Sequence, residues 1–216
     1  MDFQKVLNVV GSYQVLYNTN ESKKIRKLSD ENITVDMDKE DTVNIIGVGK
    51  LLKSKGFDRV LRITKQLIAE NYSVHTYILG EGPEKEDLQN YIENNGMKKN
   101  VTLLGYQINP YKYISKCDLF VCASYAEGFS TAATEALILG VPVCTVEVSG
   151  MKEMLGENNE YGIVTENNDE ALYQGIKELI NNSEKLQHYK QQAIIRGKSF
   201  STERTVREVE KMLLSL

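Results

Sequence analysis

The first chemistry legible in this chain lies in two lysines behind a glycine turn, Lys50 and Lys55 of Gly47-Val48-Gly49-Lys50-Leu51-Leu52-Lys53-Ser54-Lys55-Gly56. Gly49 permits a tight turn after the apolar run Val43–Val48, and both ammonium groups fall near the opening of the next helix. Positive charge and exposed backbone N–H groups at such a place favour phosphate. Two lysines could balance a diphosphate there without a metal. A solvated lysine face is the plain alternative. The segment is not a dinucleotide fingerprint, because the third glycine and the following pattern do not match, and no P-loop is present.

A second constellation is Ala126-Glu127-Gly128-Phe129-Ser130-Thr131-Ala132-Ala133-Thr134-Glu135-Ala136. Glu127 falls in the loop after the apolar run Leu119–Cys122. Gly128 lets the backbone approach a ligand, and Ser130 or Thr131 can cap the helix that begins there. Free N–H groups from Phe129 to Thr131 could receive phosphate oxygens or sugar hydroxyls. Glu135, one turn on, could accept two hydrogen bonds from a vicinal diol such as ribose if it shares the stripe of Thr131. The plainer alternative makes Glu127 a loop acid and Glu135 a partly exposed helix acid. Gly80-Glu81-Gly82-Pro83-Glu84 reads either as a glycine-rich ligand loop or as a turn before a helix.

Elements that can position these residues follow from the apolar pattern. Short runs at Val43–Val48, Val74–Leu79, Val101–Leu104, Leu119–Cys122, Val143–Val146 and Gly162–Val164 read as strands. Phe57, Val60, Leu61, Thr64, Leu67 and Ile68 recur at helical spacing, and later helices are expected at 131–139, 152–155, 169–180, 184–196 and 202–214. Strands alternating with helices require crossovers. The expected fold is therefore α/β and Rossmann-like, a mostly parallel six-stranded sheet with helices on both faces. Ligands of such sheets gather beyond the carboxyl ends of the strands, where both constellations fall. Residues 1–41 read as a lead-in and linking segment, with short strands at Val6–Val10 and Tyr13–Tyr17 and a helix at Glu21–Leu28. Residues 42–216 read as the Rossmann-like domain with its C-terminal helices.

The chain of 216 residues carries 26 basic and 30 acidic side chains, a formal charge of -4, which argues against a non-specific nucleic-acid surface. Cys117, Cys122 and Cys144 lie in or beside apolar runs and read as buried thiols in a reducing compartment. Two histidines far apart, His75 and His188, make a structural zinc site improbable. No run approaches the length of a membrane span, so a cytoplasmic location is expected, with peripheral attachment at the cytoplasmic face of a membrane left open. Tyr111, Tyr113 and Tyr125 read as packing or rim residues.

Taken in order, Gly47-Val48-Gly49-Lys50-Leu51 with Lys55-Gly56, Gly80-Glu81-Gly82-Pro83, Val101-Thr102-Leu103-Leu104-Gly105, and Glu127-Gly128-Phe129 with Glu135-Ala136 resemble the C-terminal, nucleotide-sugar-binding half of a family 4 glycosyltransferase. Gly140-Val141-Pro142-Val143 and Ser149-Gly150-Met151-Lys152-Glu153 fit the same pattern. The resemblance implies one half of a GT-B architecture and transfer of a sugar, with retention, from a UDP- or GDP-sugar to a hydroxyl acceptor. It implies no cofactor beyond that donor. Carried onto this chain, Lys50 and Lys55 would hold the diphosphate, with Gly49 beside them, and offset charge on the leaving group. Glu135 would bind ribose, and Glu127 would contact the donor sugar or its phosphate surroundings. Backbone of Gly128, Phe129, Ser130 and Thr131 would orient phosphate and sugar, and Gly105 and Tyr106 would border the base.

Lys50 stands where the family usually has arginine, which keeps the charge but loses the planar fork. The resemblance implies an acceptor-binding domain outside these 216 residues, supplied in cis or in trans, so the isolated chain is expected to be inactive. The acceptor itself would be a glycan or a lipid-linked saccharide. A nucleotide-sugar epimerase half-domain and a non-catalytic nucleotide-binding or assembly module are the competing readings.

Overall fold

The computed structural model describes residues 20–33, 35–37 and 41–214. The strands expected at Val6–Val10 and Tyr13–Tyr17 lie outside the described residues. Among the described residues the first helix is α1 (Ser22–Ser29), after which come β1 (Val43–Val48), α2 (Phe57–Ala69), β2 (Val74–Leu79), α3 (Lys85–Asn94), β3 (Val101–Gly105), α4 (Tyr111–Ile114) and β4 (Leu119–Cys122). The chain continues through α5 (Thr131–Ile138), β5 (Val143–Val146), α6 (Met151–Leu155), β6 (Ile163–Thr165), α7 (Asp169–Asn181), α8 (Ser183–Gly197) and α9 (Thr202–Leu214).

All six strands pair in parallel in the order β3-β2-β1-β4-β5-β6. The inner strands β1, β2, β4 and β5 are short and mostly apolar because both their faces are covered, while the edge strands β3 and β6 are largely half-buried. Period-two alternation then sends neighbours to opposite layers. Ile46, Phe120, Cys122 and Val143 join the core under α5 and α6, while Ile45, Leu119, Val121 and Cys144 join the core under α2 and α7. Helix α2 buries Phe57, Val60, Leu61, Thr64 and Leu67 as the three- and four-residue spacing requires, and it buries Arg59 as well. Cys117, Cys122 and Cys144 are all buried, and burial pushes the Cys117 and Cys144 thiols well up. They behave as small apolar groups.

The strand order reverses between β1 and β4. Crossovers from β1 and from β4 run in opposite directions across the sheet, which opens a crevice between their carboxyl ends. The loop carrying Lys50 and Lys55 leaves β1 there, and the loop carrying Glu127 leaves β4.

Candidate functional site

Two adjoining cavities occupy that crevice and share Val48, Gly49 and Lys50 in their walls. The larger, about 590 Å³, is bounded chiefly by Leu79, Glu81, Tyr106, Ile108 and Pro110 on the β2 and β3 side. The smaller, about 340 Å³, is bounded by Lys55, Ser124, Glu127, Phe129, Ser130 and Thr131 on the β4 side.

Backbone packing fixes the floor between them. Gly49 N–H donates to Leu79 O at 3.0 Å, and Leu51 N–H to Glu81 O at 2.9 Å. A Cβ on Gly80 would stand 1.8 Å from Gly49 O, and one on Gly82 would stand 2.4 Å from Leu51 O. These glycines therefore serve the packing of one loop on another. Gly56 has φ +68°, and a Cβ there would stand 2.0 Å from Ala123 O, so the turn after Lys55 is pressed onto the end of β4. By contrast, a Cβ on Gly128 would meet nothing within 4 Å; no protein contact dictates that glycine.

Loop contact brings the first two charges together. Lys55 Nζ donates to Glu127 Oε2 at 2.6 Å across 72 residues of sequence. Ser124 Oγ donates to the same oxygen at 3.2 Å, and Tyr125 N–H donates to Ser54 O at 2.8 Å, which ties the two loops side by side. Lys50 is exposed at the shared wall and makes no ion pair among the described residues. Helix α5 opens beside them. Ser130 is its N-cap and accepts from Ala133 N–H at 3.3 Å, leaving the amides of Thr131 and Ala132 at the cavity wall without intrahelical acceptors.

Glu135 lies one turn after Thr131 and accepts at Oε1 from the Tyr111 hydroxyl at 3.1 Å. Burial raises its carboxyl above the ordinary glutamate value, and the hydrogen bond from Tyr111 opposes that rise. The Tyr111 phenol is itself pushed up to about 12, first by burial and then by the charge of Glu135, so it remains a donor.

Of the residues expected from sequence, Gly49, Lys50, Lys55, Glu127, Phe129, Ser130, Thr131 and Tyr106 line one cavity or both. Gly105 sits just behind, with φ +66° and its carbonyl accepting from Gly80 N–H at 2.9 Å. Glu135 stands on the turn behind Thr131, against Tyr111. Two site residues were not expected. Tyr111, read as packing or rim, is the partner of Glu135, and Ser124 buttresses Glu127. For Ser124, its place between the end of β4 and Glu127 was the available signal. Among the described residues, no group of three or more His, Cys, Asp or Glu side chains is arranged to hold a metal ion.

Comparison with known proteins adds identity to this geometry. Over 203 residues the chain is 34% identical to the N-acetylgalactosamine-N,N'-diacetylbacillosaminyl-diphospho-undecaprenol 4-alpha-N-acetylgalactosaminyltransferase of Campylobacter jejuni, covering 93% of this chain and 53% of that protein. Among solved structures, Anabaena HepE in complex with UDP superposes with a TM-score of 0.78 at 20% identity, covering 94% of this chain and 57% of that one. Sucrose-phosphate synthase from Thermosynechococcus elongatus superposes at 0.76 with 16% identity, covering 95% and 53%. At these identities the structural likeness is one of fold, and it matches one half of a GT-B architecture. This chain spans about half the length of the curated and solved proteins named here. The resemblance to family 4, and to its C-terminal half alone, is corrected by the family comparison, which matches glycosyl transferases group 1 along most of the chain. That match runs from residue 29 to residue 196, and the chain belongs to the family Glycosyl transferases group 1.

Proposed function

We propose that residues 42–216 bind the nucleoside diphosphate of a sugar donor and serve an enzyme that transfers the sugar, with retention, to a hydroxyl acceptor. One observation carries the reading: the 2.6 Å contact of Lys55 with Glu127 joins the β1 and β4 loops at the point where strand order reverses. A diphosphate is to lie between Lys50, Lys55 and the free amides of Thr131 and Ala132. The base occupies the larger, more apolar cavity beside Gly105 and Tyr106, and Glu135 meets the ribose. The HepE complex with UDP favours a uridine donor, and the name of the Campylobacter relative favours an acceptor on a polyprenyl diphosphate. An acceptor-binding domain, in cis or in trans, completes the cleft.

In the transfer step the bond between the anomeric carbon and the β-phosphate oxygen breaks, and its electron pair leaves with the diphosphate. The acceptor oxygen forms the new glycosidic bond and gives up its proton to an oxygen of the departing diphosphate. Charge grows on the departing phosphate, and Lys50 and Lys55 stabilise it best at that moment, because preorganised cations in a dry site need no reorganisation. Glu127, held by Lys55 and Ser124, faces the sugar, where its carboxylate can accept hydroxyl hydrogens.

Calorimetric titration of UDP and GDP against the chain tests this. One nucleotide is expected to bind, and Lys50→Ala to weaken it by about tenfold, the loss of one hydrogen bond to a charged group. Equal binding by the unaltered chain, Lys50→Ala and Glu135→Gln would overturn the site. Sugar transfer by the isolated chain with an acceptor present would overturn the need for a second domain.

A further inference from the structure

We propose that Tyr111 is a specificity-setting residue, whose hydroxyl fixes the Glu135 carboxylate so that it reads the 2′-hydroxyl of a bound nucleoside diphosphate. This deepens the nucleotide reading above and rests on it.

The covalent order of the ligand locates the ribose. A ribose joins base to diphosphate, so it must lie between the Tyr106–Pro110 wall of the larger cavity and the Lys50–Thr131 wall of the smaller one. Tyr111 and Glu135 line neither cavity themselves but stand just behind the two walls, joined to each other by the hydroxyl–carboxylate contact. Tyr111 follows Pro110 directly, and Glu135 follows Thr131 by one helical turn on α5.

Tyr111 is itself held firmly. Its N–H donates to Asn109 Oδ1 at 3.1 Å, and Asn109 Nδ2 donates to Leu28 O at 2.8 Å and to Glu31 Oε2 at 3.0 Å, anchoring the loop to the end of α1. The ring packs against the apolar core below. From this base the hydroxyl reaches Glu135 Oε1 at 3.1 Å. Oε2 accepts no hydrogen bond among the described residues.

Partner type decides what the carboxylate can do. At Glu127 the partner is a cation, which cancels the charge. At Glu135 it is a phenol, which donates one hydrogen bond and leaves the negative charge in place. A carboxylate has about four acceptor positions, and Tyr111 takes one. The phenol therefore stops the terminal torsion from turning while leaving Oε2 and part of Oε1 for a diol. With phenylalanine at 111 that torsion is broad and roughly two-fold, so a bound diol would have to arrest it afresh.

A purely architectural Tyr111 would brace α4 against α5 and affect ribo- and 2′-deoxyribonucleotides alike. The test is calorimetric titration of UDP and GDP into the 216-residue chain, then of the 2′-deoxy form of the one that binds. Unaltered protein is expected to prefer the ribonucleotide by about tenfold, as loss of a hydrogen bond to a charged acceptor implies. Tyr111→Phe should reduce that preference to about threefold or less, with 2′-deoxynucleotide affinity within about twofold of the unaltered protein. Glu135→Gln should reduce it at least as far.

Parallel loss of both ligands in Tyr111→Phe, or an intact preference there while Glu135→Gln loses it, would overturn the role of Tyr111 and leave the nucleotide site standing. No preference in the unaltered protein, an intact one in Glu135→Gln, or no binding of either nucleotide would overturn the ribose reading and this inference together. Thermal melts of both variants establish that each is folded at the titration temperature.

Discussion

Two charged regions lie on either side of the loop that leaves β4, and they treat their charges differently. Behind the loop, on α2 and the start of α7, Asp58, Arg59, Arg62 and Asp169 are answered in place. Arg59 Nε donates to Asp169 Oδ1 at 2.8 Å, Arg62 reaches the other oxygen of Asp169 at 2.7 Å, and Arg62 and Lys53 both meet Asp58 at 2.9 Å. Tyr125 donates to Asp58 at 3.0 Å, and the Arg59 guanidinium lies 4.3 Å from the centre of its ring. In front of the loop the balance is open. Lys50 makes no ion pair among the described residues and Glu135 meets only a phenol there, whereas Lys55–Glu127 and, at the wall of the larger cavity, Lys85–Glu81 are closed pairs. The closed network is a brace. On the proposed function, a ligand completes the open set. Gly56 stands at the junction of the two, where Lys55 ends and α2 begins.

Breaking the junction should cost most. Gly56→Ala forces an L side chain into a left-handed conformation and drives its Cβ to 2.0 Å from the Ala123 carbonyl oxygen, a backbone atom that cannot step aside alone. The expected loss is about 3 kcal/mol or more in urea unfolding, with nucleotide binding lost as well because Lys55 and the β4 loop separate. A variant of unchanged stability would mean that the two loops are not pressed together.

Next comes the brace itself. Arg59→Met removes the donors to the Ala123 carbonyl (3.3 Å) and to Asn167 Oδ1 (2.6 Å) and strands both acceptors. Asp169 is 41% exposed, so the ion pair with it adds little in water. Unfolding free energy should fall by about 2 kcal/mol, and the melting midpoint by about 4–8 °C. While the protein is folded, nucleotide affinity should change by less than about threefold. A larger loss of affinity with no change in melting would place Arg59 in the recognition set and dissolve the contrast.

The contrast also separates what the sequence could reveal from what it could not. Strands were legible because burial on both faces leaves runs such as Val43–Val48 and Leu119–Cys122 nearly free of polar residues. Helix α2 was legible from the spacing of Phe57, Val60, Leu61 and Thr64. Lys50, Lys55 and Glu127 were legible because glycines flank them and each follows a strand. Arg59 and Tyr111 were not. Arg59 reads as a surface position of an amphipathic helix, and its burial depends on Asn167 and Asp169, which arrive more than a hundred residues later. Tyr111 sits in a short turn that gives no sign of the acid it meets on α5. Gly80 and Gly82 were ambiguous for the same reason: turn and ligand loop demand the same residue, and the approach of Gly49 and Leu51 accounts for both glycines while Gly80 also lines the larger cavity.

On the recognition side, Lys55→Met leaves Glu127 with Ser124 as its remaining partner. Diphosphate affinity should fall by about tenfold, because a charge-assisted contact is lost. Stability should fall by about 1 kcal/mol, since the Lys55 side chain is 30% exposed but Glu127, 12% exposed, keeps only Ser124 as its partner. Calorimetry and a thermal melt on the same sample distinguish this pattern from that of Arg59→Met. Similar profiles for both would erase the division between brace and site.

The smallest effect expected lies within the brace and concerns acid. Burial pushes the Asp58 carboxyl up, but hydrogen bonds from Arg62, Lys53 and Tyr125 outweigh it and hold the group below the ordinary aspartate value. Asp169 is likewise held low by Arg59 and Arg62 against its own burial. A carboxyl with a depressed folded-state pKa contributes stability that is present in full above its unfolded value, about 3.9, and is lost as pH falls through the folded value. Asp58→Asn should therefore lower stability at neutral pH by less than about 1 kcal/mol, because Lys53 and Arg62 are 68% and 41% exposed and screened. The gap between variant and unaltered protein should close as pH falls below about 4, and it should narrow in about 1 M salt. Melting both proteins across that range reads the difference directly. A gap that stays constant, or widens on acidification, would mean that the charge of Asp58 adds nothing to the brace and that its hydrogen-bonding shape alone matters.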